Sequence, residues 1–197
     1  MKKIIGVLLI CFLSATSISA QTIDEVKGLS VGTKAPDFEG KDQNGKQIKL
    51  SEQLKNGPVV LMFYRGQWCP YCNRILKKME DSLAMIKNKG ALVITVSPET
   101  EDAIKQTIAK TNATYSLMND AGLKIMKGYD VAYKVDDKIV EKYKGYGIDF
   151  NKSNGTNGAY LPVPATYIIG TDGMIKYVYF NSDYKERASI KEILDNL

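Results

Sequence analysis

The chain has no histidine among its 197 residues and only three cysteines, Cys11, Cys69 and Cys72. Without histidine there is no imidazole general base and no haem attached through C-x-x-C-H. A structural zinc takes four ligands, mostly Cys and His, so the pair Cys69 and Cys72 lacks the partners to complete one, and no metal is expected. A long apolar span is absent too. The apolar run at residues 4–13 would cover about 15 Å as a helix, half of a roughly 30 Å hydrocarbon core. Charge of one sign is not concentrated either. The net charge of +5 is too mild to argue for nucleic acid, whose binding proteins gather basic residues on one face.

What the N-terminus does contain is Lys2 and Lys3, then the apolar run, then small and polar residues up to Ala20. This is the pattern of a secretory signal peptide at residues 1–20, with cleavage near Ala20 and Gln21. Cys11 would leave with it. The remaining chain, 21–197, has 177 residues, two cysteines and a net charge of +3, which suits a single domain. Export is expected, to the periplasm of a Gram-negative bacterium, with no stable membrane association after cleavage. Disulfides persist in such a compartment, so the dithiol is either kept reduced by a partner or serves as an oxidant.

Trp68-Cys69-Pro70-Tyr71-Cys72 follows the continuous apolar stretch at 58–64, which reads as a strand covered on both faces. Ile75, Leu76, Met79, Leu83 and Ile86 then recur at helical spacing up to Gly90. Cys69 therefore falls at the start of a helix, where unpaired N–H groups and the helix dipole favour a thiolate. Pro70 suits the first helical position. Cys72 lies one turn further in. By this argument Cys69 is the expected attacker in thiol-disulfide exchange.

A second buried strand is expected at 91–96, and a second helix after Ser97-Pro98 with Ala103, Ile104 and Ile108 inside. Strand and helix alternating with short links imply parallel strands. Residues 165–169 and 174–180 flank Thr171-Asp172-Gly173 as an antiparallel hairpin, and a closing amphipathic helix carries Ile190, Ile193, Leu194 and Leu197. Asn44-Gly45 marks a small entry hairpin. The Gly- and Asn-rich stretch at 144–160 reads as a long polar loop or insertion. Just before the later hairpin, Leu161-Pro162-Val163-Pro164 suggests a cis bond between Val163 and Pro164, an expectation that rests on position rather than on the rarity of such bonds.

These residues resemble a known family. The dithiol after a buried strand, Val163-Pro164 before a hairpin and a final helix look like the thioredoxin fold. Ala35-Pro36-Asp37-Phe38, Phe63-Tyr64-Arg65-Gly66-Gln67 before the dithiol, Leu161 to Tyr167, Asp172-Gly173, and Asp183-Tyr184 with Arg187 resemble the peroxiredoxin-like branch of the alkyl hydroperoxide reductase/thiol-specific antioxidant family over roughly residues 28–195. The resemblance implies an α/β thioredoxin-like fold: a central mixed sheet with helices on both faces, an N-terminal hairpin extension and an insertion before the cis-Pro strand. It also implies a thiol peroxidase with no cofactor, hydroperoxide as substrate and a thioredoxin-type dithiol as electron donor. A cysteine thiolate becomes a sulfenic acid and condenses with the second thiol, here to a Cys69–Cys72 disulfide.

The match has departures. Typical members carry Pro seven residues before the peroxide-attacking Cys and Thr three before it. Aligned on Phe63-Tyr64, Cys72 takes that cysteine's place, with Arg65 for the Pro and Cys69 for the Thr. Thioredoxins place a buried Asp six residues before the first Cys, where this chain has Phe63, so the usual proton acceptor is absent. The peroxide-attacking sulfur stays open between Cys69 and Cys72. Arg65 either stabilises a thiolate and orients peroxide or is a solvated strand-end residue. Trp68 is expected to shield the dithiol, Tyr71 to lie exposed between the cysteines, and Arg187 to sit at the surface near the last helix. Two other functions fit the sequence less fully: disulfide reduction of protein partners, and copper(I) binding by Cys and Met ligands.

Overall fold

The computed structural model describes residues 21–197; the leader expected at 1–20, and Cys11 with it, lie outside them. The entry hairpin pairs β1 (Glu39–Lys41) with β2 (Gln47–Lys49), and Gly45 supplies the left-handed backbone, φ +75°, at its turn. A single-turn α1 (Leu50–Gln53) leads into β3 (Val59–Phe63), all five of whose residues are buried. Then come α2 (Pro70–Asp81), α3 (Leu83–Asn88), β4 (Leu92–Ser97), α4 (Glu101–Thr111), β5 (Ser116–Asn119) and α5 (Lys124–Gly128).

The second half contains β6 (Ala132–Lys134), α6 (Asp137–Gly145), α7 (Phe150–Asn154) and β7 (Tyr160–Pro162). It closes with β8 (Ala165–Ile169), β9 (Ile175–Phe180) and α8 (Ile190–Asp195). Five strands form one sheet in the order β5-β4-β3-β8-β9. The pairs β3–β4 and β4–β5 are parallel, whereas β8 runs antiparallel to both β3 and β9. This is the mixed sheet that the resemblance implies.

The reason β3 reads as an unbroken apolar run is that it lies at the centre of this sheet with both faces covered. Val59, Leu61 and Phe63 point into one core with Ile48, Leu50, Ile125 and Met126 from the hairpin, α1 and α5. Val60, Met62 and Tyr64 point into the other with Ile75, Leu76 and Met79 of α2, Ile104 of α4 and Ile193 of α8. Helical material thus covers both faces, and the centre of the sheet delivers the chain directly to the dithiol.

Two expectations fail. Most of residues 144–160 are helical: α6 ends at Gly145, α7 follows at once behind the N-cap Asp149, and a 3-10 turn spans Gly155–Asn157. The apolar residues Tyr143, Ile148 and Phe150 pack with Val135, Leu161 and Trp68 into a small core of their own. Short polar spacers between those anchors made the stretch look like a loop. The bond between Val163 and Pro164 is trans. No reversal is needed there, because β7 pairs with β6 and the Val163 N–H bonds the Val131 carbonyl at 2.8 Å, so the chain enters β8 already extended.

Gly57 and Gly90 let the entries to the neighbouring strands β3 and β4 touch. A Cβ on Gly57 would lie 2.0 Å from the Gly90 carbonyl oxygen, and its φ of +151° disfavours a side chain. Gly57→Ala should therefore destabilise the fold by about 1–3 kcal/mol or more, read as a lower urea midpoint with an unchanged slope.

Candidate active site

The strand β3 ends at Phe63, and Tyr64, Arg65 and the loop 66–69 carry the chain to α2. Gly66 makes this turn possible. Its φ is +154°, and a Cβ there would stand 2.6 Å from Trp68 Nε1 and 2.9 Å from Glu99 Oε1. Gln67 holds the loop through several bonds: its N–H donates to Glu99 Oε1 at 2.6 Å, and its carbonyl accepts from Asn73 Nδ2 at 2.8 Å and Lys110 Nζ at 3.0 Å. The Cys69 N–H donates to the Gly66 carbonyl at 3.0 Å. Cys69 is the N-cap of α2 and Pro70 its first residue, as the sequence indicates.

Both sulfurs are free thiols and both are buried, Cys69 at 1 % exposure and Cys72 at 0 %. Their surroundings differ. Two donors reach Cys72 Sγ at 3.5 Å, the backbone N–H of Arg65 and Nη2 of Arg187. Burial alone would push the Cys72 thiol up. The hydrogen bond from Cys69, the Arg187 charge and the Arg65 N–H overcome it and bring Cys72 down to about 6. Cys69 moves the other way, because its proton is engaged by Cys72, because it is buried and because a second anion beside the first is unfavourable. The helix-terminus argument, which favours Cys69, is therefore outweighed by direct hydrogen bonds and a cation at Cys72.

Arg187 is the main residue misjudged from sequence. It is half-buried, and it reaches the dithiol across 115 positions of chain. Arg65 is not solvated at a strand end. It is 3 % exposed, donates through Nη2 to the Tyr143 hydroxyl, and its Cζ lies 4.1, 5.0 and 5.6 Å from the ring centres of Tyr184, Trp68 and Tyr143. Trp68 is half-buried against Tyr143 and Phe150, and Tyr71 is half-buried, edge-on to Tyr184, not exposed. Val163 and Pro164 are buried. The register that pairs Phe63 with Ala165 places Pro164 opposite Tyr64. A cleft of about 450 Å³ opens beside Arg65, walled by Tyr133, Val135, Ile139, Tyr143 and Tyr184.

Glu99 went unnoticed in the sequence. It is fully buried two residues beyond the C-terminal end of β4, and burial pushes its carboxyl up to about 7 although Gln67 and Thr107 give it hydrogen bonds. Its position was the available signal: ligands and reactive groups gather beyond the carboxyl ends of parallel strands, and Ser97-Pro98-Glu99-Thr100 sits there.

A model of the AhpC/TSA family matches residues 31–178. The chain belongs to the AhpC/TSA family. It is 30 % identical over 169 residues to a chloroplastic peroxiredoxin Q of Suaeda salsa, an alignment covering 86 % of this chain and 68 % of the plant protein. It spans about two thirds of the length of such plant relatives. The fold is shared with a peroxidoxin of Mycobacterium tuberculosis (TM-score 0.64, 21 % identity, 84 % of this chain and 94 % of that one). It is shared as well with a cysteine-to-serine mutant of PrxQ from Xylella fastidiosa (TM-score 0.65, 16 % identity, 86 % and 95 %). The protein is a thiol-dependent oxidoreductase of the peroxiredoxin type. Of the two sulfurs, Cys72 is the one whose thiol is lowered and whose Sγ receives two donors.

Thiolate absorbance of the reduced protein should titrate as a single thiol with a midpoint near 6, and Arg187→Met should raise that midpoint by about one unit or more. The lowered value also fixes a stability slope. Cys72 contributes stability that is complete above its ordinary value of 9.0 and lost as pH falls through about 6, whereas the raised Glu99 acts with opposite sign between 4.5 and about 7. The reduced protein should thus gain stability between pH about 7 and about 9, and Cys72→Ser should flatten that gain in denaturant unfolding.

Proposed function

We propose that this protein is an exported thiol peroxidase in which Cys72 attacks hydroperoxide and Cys69 resolves the product. The single observation that carries the reading is the pair of donors on Cys72 Sγ, the Arg65 N–H and Arg187 Nη2, each at 3.5 Å. A sulfur solvated in this way is a thiolate at neutral pH, and the same cation is placed to stabilise the charge that develops on the departing oxygen. The Cys72 thiolate takes the nearer peroxide oxygen, the O–O bond breaks, and the alcohol or water leaves once protonated. The Cys69 thiol then condenses with the Cys72 sulfenic acid, releasing water and forming a Cys69–Cys72 disulfide.

That disulfide removes the anion that Arg187 and the Arg65 N–H hold, and so removes part of what pins the first turn of α2. The exposed Pro70 marks the side from which an external thioredoxin-type dithiol reduces it. The cleft beside Arg65 is the approach for the organic part of a hydroperoxide, with Tyr133, Tyr143 and Tyr184 as its walls. Disulfide reduction of folded protein partners fits less well, because at 1 % exposure Cys69 does not present its sulfur to a large substrate. Export rests on the pattern of residues 1–20, and mass spectrometry of the N-terminus of secreted material tests it.

Stopped-flow oxidation decides the assignment. Cys72→Ser should lose peroxide reactivity by about 100-fold or more, since its nucleophile is gone. Cys69→Ser should consume one equivalent of peroxide, stop as a sulfenic acid that dimedone traps, and fail to turn over with a dithiol donor. If Cys69→Ser instead abolishes the first step while Cys72→Ser retains it, the roles are reversed.

A further inference from the structure

Glu99 is a carboxylic acid at 0 % exposure with no Lys or Arg nitrogen within 4 Å among the described residues. A carboxylate kept buried without a cation is costly unless it is solvated by donors or carries a proton. Its donors are few and come from the active-site turn and from α4. Oε1 accepts the Gln67 N–H at 2.6 Å, and Oε2 accepts the Thr107 hydroxyl at 3.1 Å. The N–H two residues earlier, that of Arg65, donates to Cys72 Sγ. One short turn of chain therefore holds both acidic groups, the thiol on one N–H and the carboxyl on another. The Tyr64 hydroxyl, buried without a fixed hydrogen-bond partner, faces the same carboxyl from the end of β3, and Tyr64 packs in one core with both cysteines.

We propose that Glu99 is the proton store of the dithiol: it holds the proton that Cys72 gives up on ionising and supplies it to the oxygen that leaves when Cys72 attacks a hydroperoxide. This rests on the peroxidase reading.

The order of proton affinities supports it. A free carboxyl is far more acidic than a free thiol, yet here Cys72 is brought down to about 6 and Glu99 is pushed up to about 7, chiefly by burial. Between these values the favoured state pairs a Cys72 thiolate with a protonated Glu99. The groups that act on the Glu99 carboxyl are the Gln67 N–H from the loop, Thr107 from α4, the Tyr64 hydroxyl just past β3 and, through its charge, Cys72 of α2. Of these only Tyr64 and Cys72 titrate, and burial holds Tyr64 well above neutrality. Any step near neutral pH therefore belongs to the Glu99 and Cys72 pair.

The cycle balances. Reduced protein carries a Cys69 thiol, a Cys72 thiolate and a Glu99 acid. Attack on ROOH forms the S–O bond, breaks O–O and gives Cys72 sulfenic acid, ROH and Glu99 carboxylate. Condensation of the Cys69 thiol with the sulfenic acid forms S–S and releases water. An external dithiol then delivers two electrons and two protons, one proton to Cys69 and one to Glu99, and leaves Cys72 ionised.

The test uses the reduced, full-length mature protein with Glu99→Gln, which keeps a hydrogen-bonding side chain but cannot ionise, and Thr107→Val, which removes one donor from the carboxyl. Difference infrared spectroscopy between pH about 6 and about 7 should show a protonated-carboxyl band in reduced wild type. The band should shrink when the dithiol is oxidised by diamide, and Glu99→Gln should lack it. The pH profile of the oxidation rate by an alkyl hydroperoxide should lose its limb near 7 in Glu99→Gln, with a rate about tenfold lower or worse. Thr107→Val should move that limb to higher pH.

A carboxyl band that oxidation leaves unchanged, or a Glu99→Gln profile matching wild type, overturns the proposal. Should Glu99→Gln not fold by circular dichroism, an unmoved limb in Thr107→Val overturns it equally. If the band responds to diamide while peroxide is not turned over, the peroxidase reading falls and the proton store stands.

Discussion

A buried thiolate is the constraint around which this protein is organised. Removing a full negative charge from water costs several kcal/mol even after relaxation, so an ionised Cys72 requires donors that converge on its sulfur. Three arrive from three directions: the thiol of Cys69 along the helix, the N–H of Arg65 at the end of β3, and the guanidinium of Arg187 ahead of α8. Each depends on a different part of the fold. The first needs the helix to begin at Pro70, the second needs Gly66 to fold the loop back, and the third needs the C-terminal segment to pack beside α2.

The sheet makes this convergence possible. Because β3 is central and both its faces are covered, its end is a fixed point, and the loop that follows inherits that rigidity. The parallel neighbour β4 ends beside it and brings Glu99 beneath the same turn, while the antiparallel neighbour β8 brings Pro164 opposite Tyr64. Two of the three arginines in the chain flank the dithiol. Arg187 acts on the sulfur directly, and Arg65 is held in an aromatic enclosure of Trp68, Tyr143 and Tyr184. Tyr143 belongs to α6, so the helical insertion between β6 and β7 is part of the site and not a peripheral decoration.

Much of this was legible in residue order because it is governed by local rules. The apolar run of β3, the period of α2, the Asn44-Gly45 turn and the Asp172-Gly173 hairpin each carry their own backbone preference or burial pattern. Where anchors are sparse the reading failed. The segment around α6 and α7 has a few aromatic residues among many polar ones, and helix formation there follows from packing on Trp68 rather than from a visible period. The trans bond before Pro164 has a similar origin, since the pairing of β7 with β6 sets the path of the chain before the proline is reached.

By itself the sequence placed a dithiol at a strand-to-helix junction, left it without any histidine, and set strands and helices in alternation. Those readings depend on composition, periodicity and a helix start, all of which are properties of neighbours in the chain, whereas the thioredoxin-like fold was implied by the resemblance to a known family. Only the tertiary structure decided which sulfur carries the charge. A helix terminus offers a diffuse partial charge to Cys69, whereas two direct donors at 3.5 Å and a hydrogen bond from its neighbour serve Cys72, and short-range contacts in a dry interior outweigh the dipole. Arg187 and Glu99 stand 115 and 27 positions away from that sulfur, and nothing but folding brings them to it.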